Sequence, residues 1–111
     1  MTREEILNMK AGREMDALIA TQFTKFEHYQ GEWWWQDGNL EELPDYSTDI
    51  CEAWNVIMKF AKKFIEVYIE SRGTGFFVMI GDDLEDGVSE DSCPLAICKA
   101  ALLAKIAGVE V

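Results

Sequence analysis

The chain has a single histidine, His28, and three cysteines, Cys51, Cys93 and Cys98, with no C-x-x-C pair among them. A structural zinc site needs four such ligands at short spacings, so no metal site is expected, and no cofactor motif replaces it. The odd cysteine count reads as reduced, mostly buried, small apolar residues of a cytoplasmic protein. Basic residues are scarce as well: 10 Lys and Arg stand against 21 Asp and Glu, for a formal net charge of -11. A surface this negative repels phosphate backbones and anionic headgroups, which argues against polymeric nucleic acid and membranes as partners. No apolar run is long enough to span a bilayer, and the opening MTREEILNMK lacks the apolar centre of a signal peptide.

Catalytic signatures are missing too. There is no G-x-S-x-G, P-loop or G-x-G-x-x-G, and the RGTG at 72–75 joins two predicted strands without opening a helix. His28 could serve as a base, yet spacing assigns it no nucleophile or carboxylate. The acidic stretch GDDLEDGVSED at 81–91 reads as a solvated loop. It fails as a calcium loop, because Gly87 at the sixth position leaves Leu84 and Cys93 at ligand positions. A non-enzymatic binding protein is therefore expected.

What is present is enough apolar sequence, 49% of 111 residues, for one domain spanning 1–111. Its most apolar stretch is PLAICKAALLAKIAGV at 94–109, interrupted only by Lys99 and Lys105 and preceded by the capping candidates Asp91 and Ser92. A helix with so little polar arc needs cover on nearly all sides. Thr2 and Glu5 form a capping-box pattern that predicts a short helix over 3–9, with Ile6 and Leu7 buried. After Gly12 a second helix is expected over 13–22, with Met15, Leu18 and Ile19 on one face. Ser47, Thr48 and Asp49 precede a helix in which Ile50, Ala53, Trp54, Ile57, Met58 and Ala61 share the apolar face. Residues 64–71 alternate as a strand with one covered side, and FFVMI at 76–80 reads as a strand covered on both.

Trp33, Trp34 and Trp35 are successive, between Gly31 and the turn-forming 37–39. The pattern predicts a short strand over 32–36, hairpinned with 26–29, with at least one tryptophan exposed. Ring faces from Trp33, Trp34, Trp35 and Tyr46, with guanidinium groups from Arg13 and Arg72, are the candidate binding residues for a small nucleotide ligand. Such a site requires two of the three arginines, Arg3, Arg13 and Arg72, to converge on the aromatic segment.

Three stretches, MTREEILNMKAGREMDALIA, PDYSTDICEAWNVI and CPLAICKAALLA, occur in the order seen in small phage and prophage proteins, and the chain resembles the phage ABA sandwich domain family. The resemblance implies an α+β fold: a three-layer α/β/α sandwich with a small, mainly antiparallel sheet. Arg13, Asp16, Tyr46, Ser47, Thr48 and Asp49 match the family's recurring polar positions, and Lys99 stands where the family often has arginine. No catalytic residues carry over. Two functions follow as expectations: a sponge that sequesters a nucleotide signal of bacterial anti-phage defence, or an acidic inhibitor or DNA mimic acting on a host protein. A homo-oligomer is also expected, through an alanine strip at Ala100, Ala104 and Ala107 left uncovered on the last helix.

Overall fold

The computed structural model describes residues 1–24, 27–30, 33–36, 39–81 and 87–109, with backbone alone for those between 27 and 40. Among the described residues, four helices and two three-stranded antiparallel sheets make an α+β fold, the class expected from the sequence. Helix α1 (Arg3–Asn8) begins with the expected box: Glu5 N–H donates to Thr2 Oγ1 at 3.2 Å, and Thr2 N–H to Glu5 Oε1 at 3.3 Å. Ile6 is buried and Leu7 only half so. Helix α2 (Arg13–Phe23) buries Met15, Ile19, Ala20 and Phe23, together with Asp16. The first sheet is a meander of β1 (Glu27–Gln30), β2 (Trp33–Gln36) and β3 (Asn39–Glu42). The predicted hairpin is there, and β3 extends it.

Helix α3 (Ile50–Ala61) starts at Asp49, whose carboxylate accepts from Cys51 N–H at 2.8 Å. Its buried residues are Ala53, Val56, Ile57 and Phe60, and the Phe60 ring packs 5.7 Å from that of Phe23. Ile50, Trp54, Met58 and Ala61, assigned above to the buried face, are exposed. The apolar arc of this helix is too wide for a single contact, and the sequence pattern merges a buried face with a second, solvent-facing one.

Strands β4 (Val67–Arg72), β5 (Gly75–Ile80) and β6 (Val88–Glu90) form the second sheet, β5 in the centre. Part of the stretch read as a loop is thus a strand, anchored by Val88, which is 2% exposed and in register with Val78. The two residues that follow it, Ser89 and Glu90, are polar, so alternation is too short to register. Val78 and Ile80 are buried, whereas Phe77 and Met79 are half-buried, so cover on the second face of FFVMI is partial. On that face Tyr68 lies edge-on to Phe77 at 6.3 Å, and the Arg72 guanidinium sits 4.1 Å from the ring centroid. Gly87 is required there, because a Cβ would come within 2.1 Å of the Phe77 ring.

Helix α4 (Cys93–Ile106) begins with Ser92 Oγ accepting from Leu95 N–H at 3.5 Å and with Pro94 in its first turn. Nine successive residues, Ala96 to Ala104, are buried, as β5, β6 and all three other helices pack against it. The alanine strip is therefore internal: Ala100 and Ala104 are 1% and 2% exposed, and only Ala107 faces solvent. Small side chains here let neighbouring elements approach closely inside one chain, which leaves no flat strip for a second.

Lys99 is 3% exposed in the middle of this helix. Its ammonium donates to the Leu7 carbonyl at 2.7 Å and pairs with the Glu90 carboxylate, tying the end of α1 and strand β6 to α4. Removing the lysine leaves the Leu7 carbonyl without this donor and the part-exposed Glu90 carboxylate without its partner, at a cost of about 1–3 kcal/mol. Lys99→Met is expected to lose that much in urea unfolding, and Lys99→Met with Glu90→Leu to recover most of it. An unchanged midpoint for the single variant would show that the pair contributes nothing.

Candidate functional site

The polar positions that carry the family resemblance lie together where α2 meets the segment between β3 and α3. Gly12 supplies no side-chain cap to α2, and Ser47 reaches it from that segment. Ser47 Oγ accepts from Gly12 N–H at 2.9 Å and donates to Asp16 Oδ1 at 2.6 Å. The same carboxylate oxygen accepts from Ser47 N–H at 2.8 Å, while Oδ2 pairs with Arg13 at 3.2 Å. Arg13 extends outward to Asp45 at 2.6 Å and to the Leu43 carbonyl at 2.8 Å. Asp16 is 1% and Ser47 0% exposed. A carboxylate so buried is tolerated only with donors on both oxygens, and this arrangement supplies them.

Tyr46 lies inside this junction, 4% exposed, with its carbonyl accepting from the Cys98 thiol at 3.4 Å. Burial first, then Glu52, Cys98, Asp16 and Glu41, push its phenol up to about 12. Cys98 is pushed up to about 12 by burial and by the Asp16 carboxylate, so it is a protonated packing residue at neutral pH and not a nucleophile. Cys93 is half-buried and Cys51 is exposed, so burial holds for one of the three cysteines in full.

The other candidate residues are elsewhere. Arg72 closes the β4–β5 hairpin, where its Nε and Nη2 both bind Glu70 Oε2 at 3.0 Å. Hydrogen bonds from Arg72 and then Tyr68 hold the Glu70 carboxyl below its ordinary range. Beside it is an open groove of about 290 Å³ lined by Arg72, Thr74, Phe76, Ser89, Glu90 and Asp91. Two further carboxylates next to one already paired arginine make this groove a poor cradle for phosphate. Trp33, Trp34 and Trp35 form the backbone of the central strand β2, with Trp33 in register with Glu42 and Trp34 with both His28 and Glu41. The side chains of the tryptophans and of His28, and with them the expected exposed ring and the possible base, lie outside the described residues. Arg13 and Arg72 thus have separate partners, and the buried Tyr46 ring presents no open face. Among the described residues, no group of three or more His, Cys, Asp or Glu side chains could hold a metal ion.

The model of the phage ABA sandwich domain matches residues 6–102. The chain belongs to the phage ABA sandwich domain family. It is also similar to the crystal structure of a phage protein from Bacillus cereus ATCC 14579, with 26% identity, 93% of this chain and 92% of that chain covered, and a TM-score of 0.70. No curated protein matches it. The family and this neighbour fit a phage accessory role, and among the described residues no helix is long and apolar enough to cross a membrane. In this ABA sandwich chain, Arg13, Asp16 and Ser47 build the junction, and Asp49 caps α3.

Because the folded-state value for Tyr46 lies above its ordinary 10, its contribution to stability is complete below pH 10 and disappears as the pH rises toward 12. The loss is on the order of 2–3 kcal/mol. Alkaline unfolding monitored by circular dichroism is expected to show it, and Tyr46→Phe to remove that part of the pH dependence. A parallel loss in both proteins would assign it to other groups.

Proposed function

We propose that this protein is a phage accessory protein that acts by binding, and that an acidic face of it engages a basic surface of a host protein. The observation that carries this reading is the gathering of carboxylates around the α2–α3 junction. Glu52, Asp16 and Glu41 all act on Tyr46, and Glu14, Glu41, Glu42 and Asp45 of the same region are exposed. On a chain of net charge -11, such a concentration steers association with cationic partners and disfavours anionic ones.

The nucleotide-sponge reading has less support, since Arg13 and Arg72 already hold carboxylates and Tyr46 is buried. What favours it is the run of three tryptophans in β2. Both readings are open to direct measurement. Glu14→Gln, Glu41→Gln and Glu42→Gln combined change exposed side chains, and the folded structure should survive. Affinity capture from host extract is expected to retain a partner with the unaltered protein and to lose it with the triple variant. The partner should also be released as salt rises, since the screening length shortens from about 10 Å at 0.1 M to about 3 Å at 1 M. A partner indifferent to both would contradict the acidic-face reading. Heat on titration with cyclic di- or trinucleotides or cyclic ADP-ribose isomers would favour the sponge in its place.

A further inference from the structure

Strand β4 forms one edge of the second sheet, and β6 the other. Strand β6 has three residues and runs directly into α4, whereas β4 pairs with β5 over six residues without a break in register. Gly81 N–H donates to the Glu66 carbonyl at 2.8 Å, so the peptide groups of Glu66 point toward β5. Alternation along an antiparallel pair then turns those of Tyr68, Glu70 and Arg72 the same way, and those of Val67, Ile69 and Ser71 outward. Among the described residues, no backbone hydrogen bond reaches these three outward-facing residues. Folded proteins commonly blunt such an edge with proline, lysine, a bulge or short length, and β4 has none of these. Its side chains divide by the same alternation. Val67 and Ile69 pack against the core, while Glu66, Tyr68, Glu70 and Arg72 share the outer face.

We propose that β4 is a self-pairing edge, on which β4 of a second copy lies antiparallel about a two-fold axis through Ile69, joining the two copies' sheets into one. Both occupant and register follow from the order of residues in the strand. An axis at Glu70 would set Glu70 against Glu70, and one at Tyr68 would set Glu66 against Glu70; like charges directly opposite are destabilising. With the axis at Ile69, Glu66 of each copy faces Arg72 of the other, and Tyr68 faces Glu70. These are the non-hydrogen-bonded pairs, in which side chains come closest, and all four residues lie on one face. Arg72, held by Glu70 of its own strand, thereby gains a second carboxylate. On the other face Ile69 meets Ile69 and Val67 meets Ser71, which carries the apolar core across the axis. These are the hydrogen-bonded pairs, so every outward N–H and C=O of the three residues finds a partner. Either neighbouring register leaves Val67 or Ser71 without a strand partner. A foreign strand would have to reproduce this order of charges, whereas a second copy supplies it by symmetry. Contact along one strand is smaller than the roughly 800 Å² per partner of a standard interface, so the dimer exchanges with monomer. The acidic residues assigned above to a host partner are not part of β4, so the two readings can fail separately.

Residue-resolved amide exchange of the full chain over a concentration series, with sedimentation velocity alongside, tests this. The amides of Tyr68, Glu70 and Arg72 are expected to be protected at every concentration. Those of Val67, Ile69 and Ser71 should slow about ten-fold or more only as dimer forms. Ser71→Pro removes an N–H that serves nothing in the monomer, at an edge position that accepts proline. It should weaken the dimer about ten-fold or more while leaving the thermal midpoint of the monomer in place. Glu66→Arg should weaken the dimer too, and Glu66→Arg with Arg72→Glu should recover most of the loss, a rescue specific to the axis at Ile69. A chain that stays monomeric at its highest soluble concentration overturns the proposal. So does a dimer whose three outward amides exchange as freely as in the monomer, or one indifferent to Ser71→Pro. Protection that appears only with a captured host protein would assign the edge to a foreign strand and overturn it as well.

Discussion

The Asp16 carboxylate is the constraint on which the surrounding structure depends. Buried at 1% exposure, it would be severely destabilising without donors, and it obtains them from Ser47 N–H, Ser47 Oγ and Arg13. The two bonds from Ser47 reach across some thirty residues of sequence. They hold the start of α2 against the segment that leads into α3, and therefore fix where α3 begins and which of its faces turns inward. Lys99 plays a comparable part further along, joining the end of α1, strand β6 and α4 through one buried ammonium. The apolar core surrounds these two ties, and the polar residues set the register of the elements that supply it.

Helices were legible in the sequence because their signals are local. The Thr2–Glu5 box, the Asp49 and Ser92 caps and Pro94 each act within one turn, and each appears where the pattern placed it. Features set by distant contacts were not legible. Ser47 belongs to a run of cap-forming residues, yet its hydroxyl serves Gly12 and Asp16 instead of α3. The full burial of Ala100 and Ala104 depends on how closely the surrounding helices and sheet approach, which periodicity does not encode. Likewise Ile50, Trp54 and Met58 share the spacing of a core stripe, and only the placement of α4 shows that the core is satisfied by Ala53, Val56, Ile57 and Phe60. Strand β6 escaped notice for want of length: one buried valine beside two polar residues is not a pattern.

The candidate binding residues divide in an informative way. Arg13 and Tyr46, which the sequence offered for a ligand, belong to the junction that determines the fold. Arg72 is occupied by Glu70 and stacked on Phe77. Membership of the phage ABA sandwich domain family therefore identifies a scaffold and not an activity, and the binding proposed for this chain is assigned to groups outside the buried polar ties: the exposed carboxylates near Tyr46 and, in the second reading, the tryptophan strand. A scaffold held by buried polar ties leaves its surface free to change charge and shape without loss of fold.

The central claim, that Asp16 and Ser47 act as one buried tie that organises the fold, is most directly tested by a double-mutant cycle in chemical unfolding with Asp16→Ala, Ser47→Ala and the pair. The account predicts strong coupling, about 1–3 kcal/mol, because either substitution alone leaves the other group buried without its partner. Single effects that add to within about 0.5 kcal/mol in the double variant would contradict it.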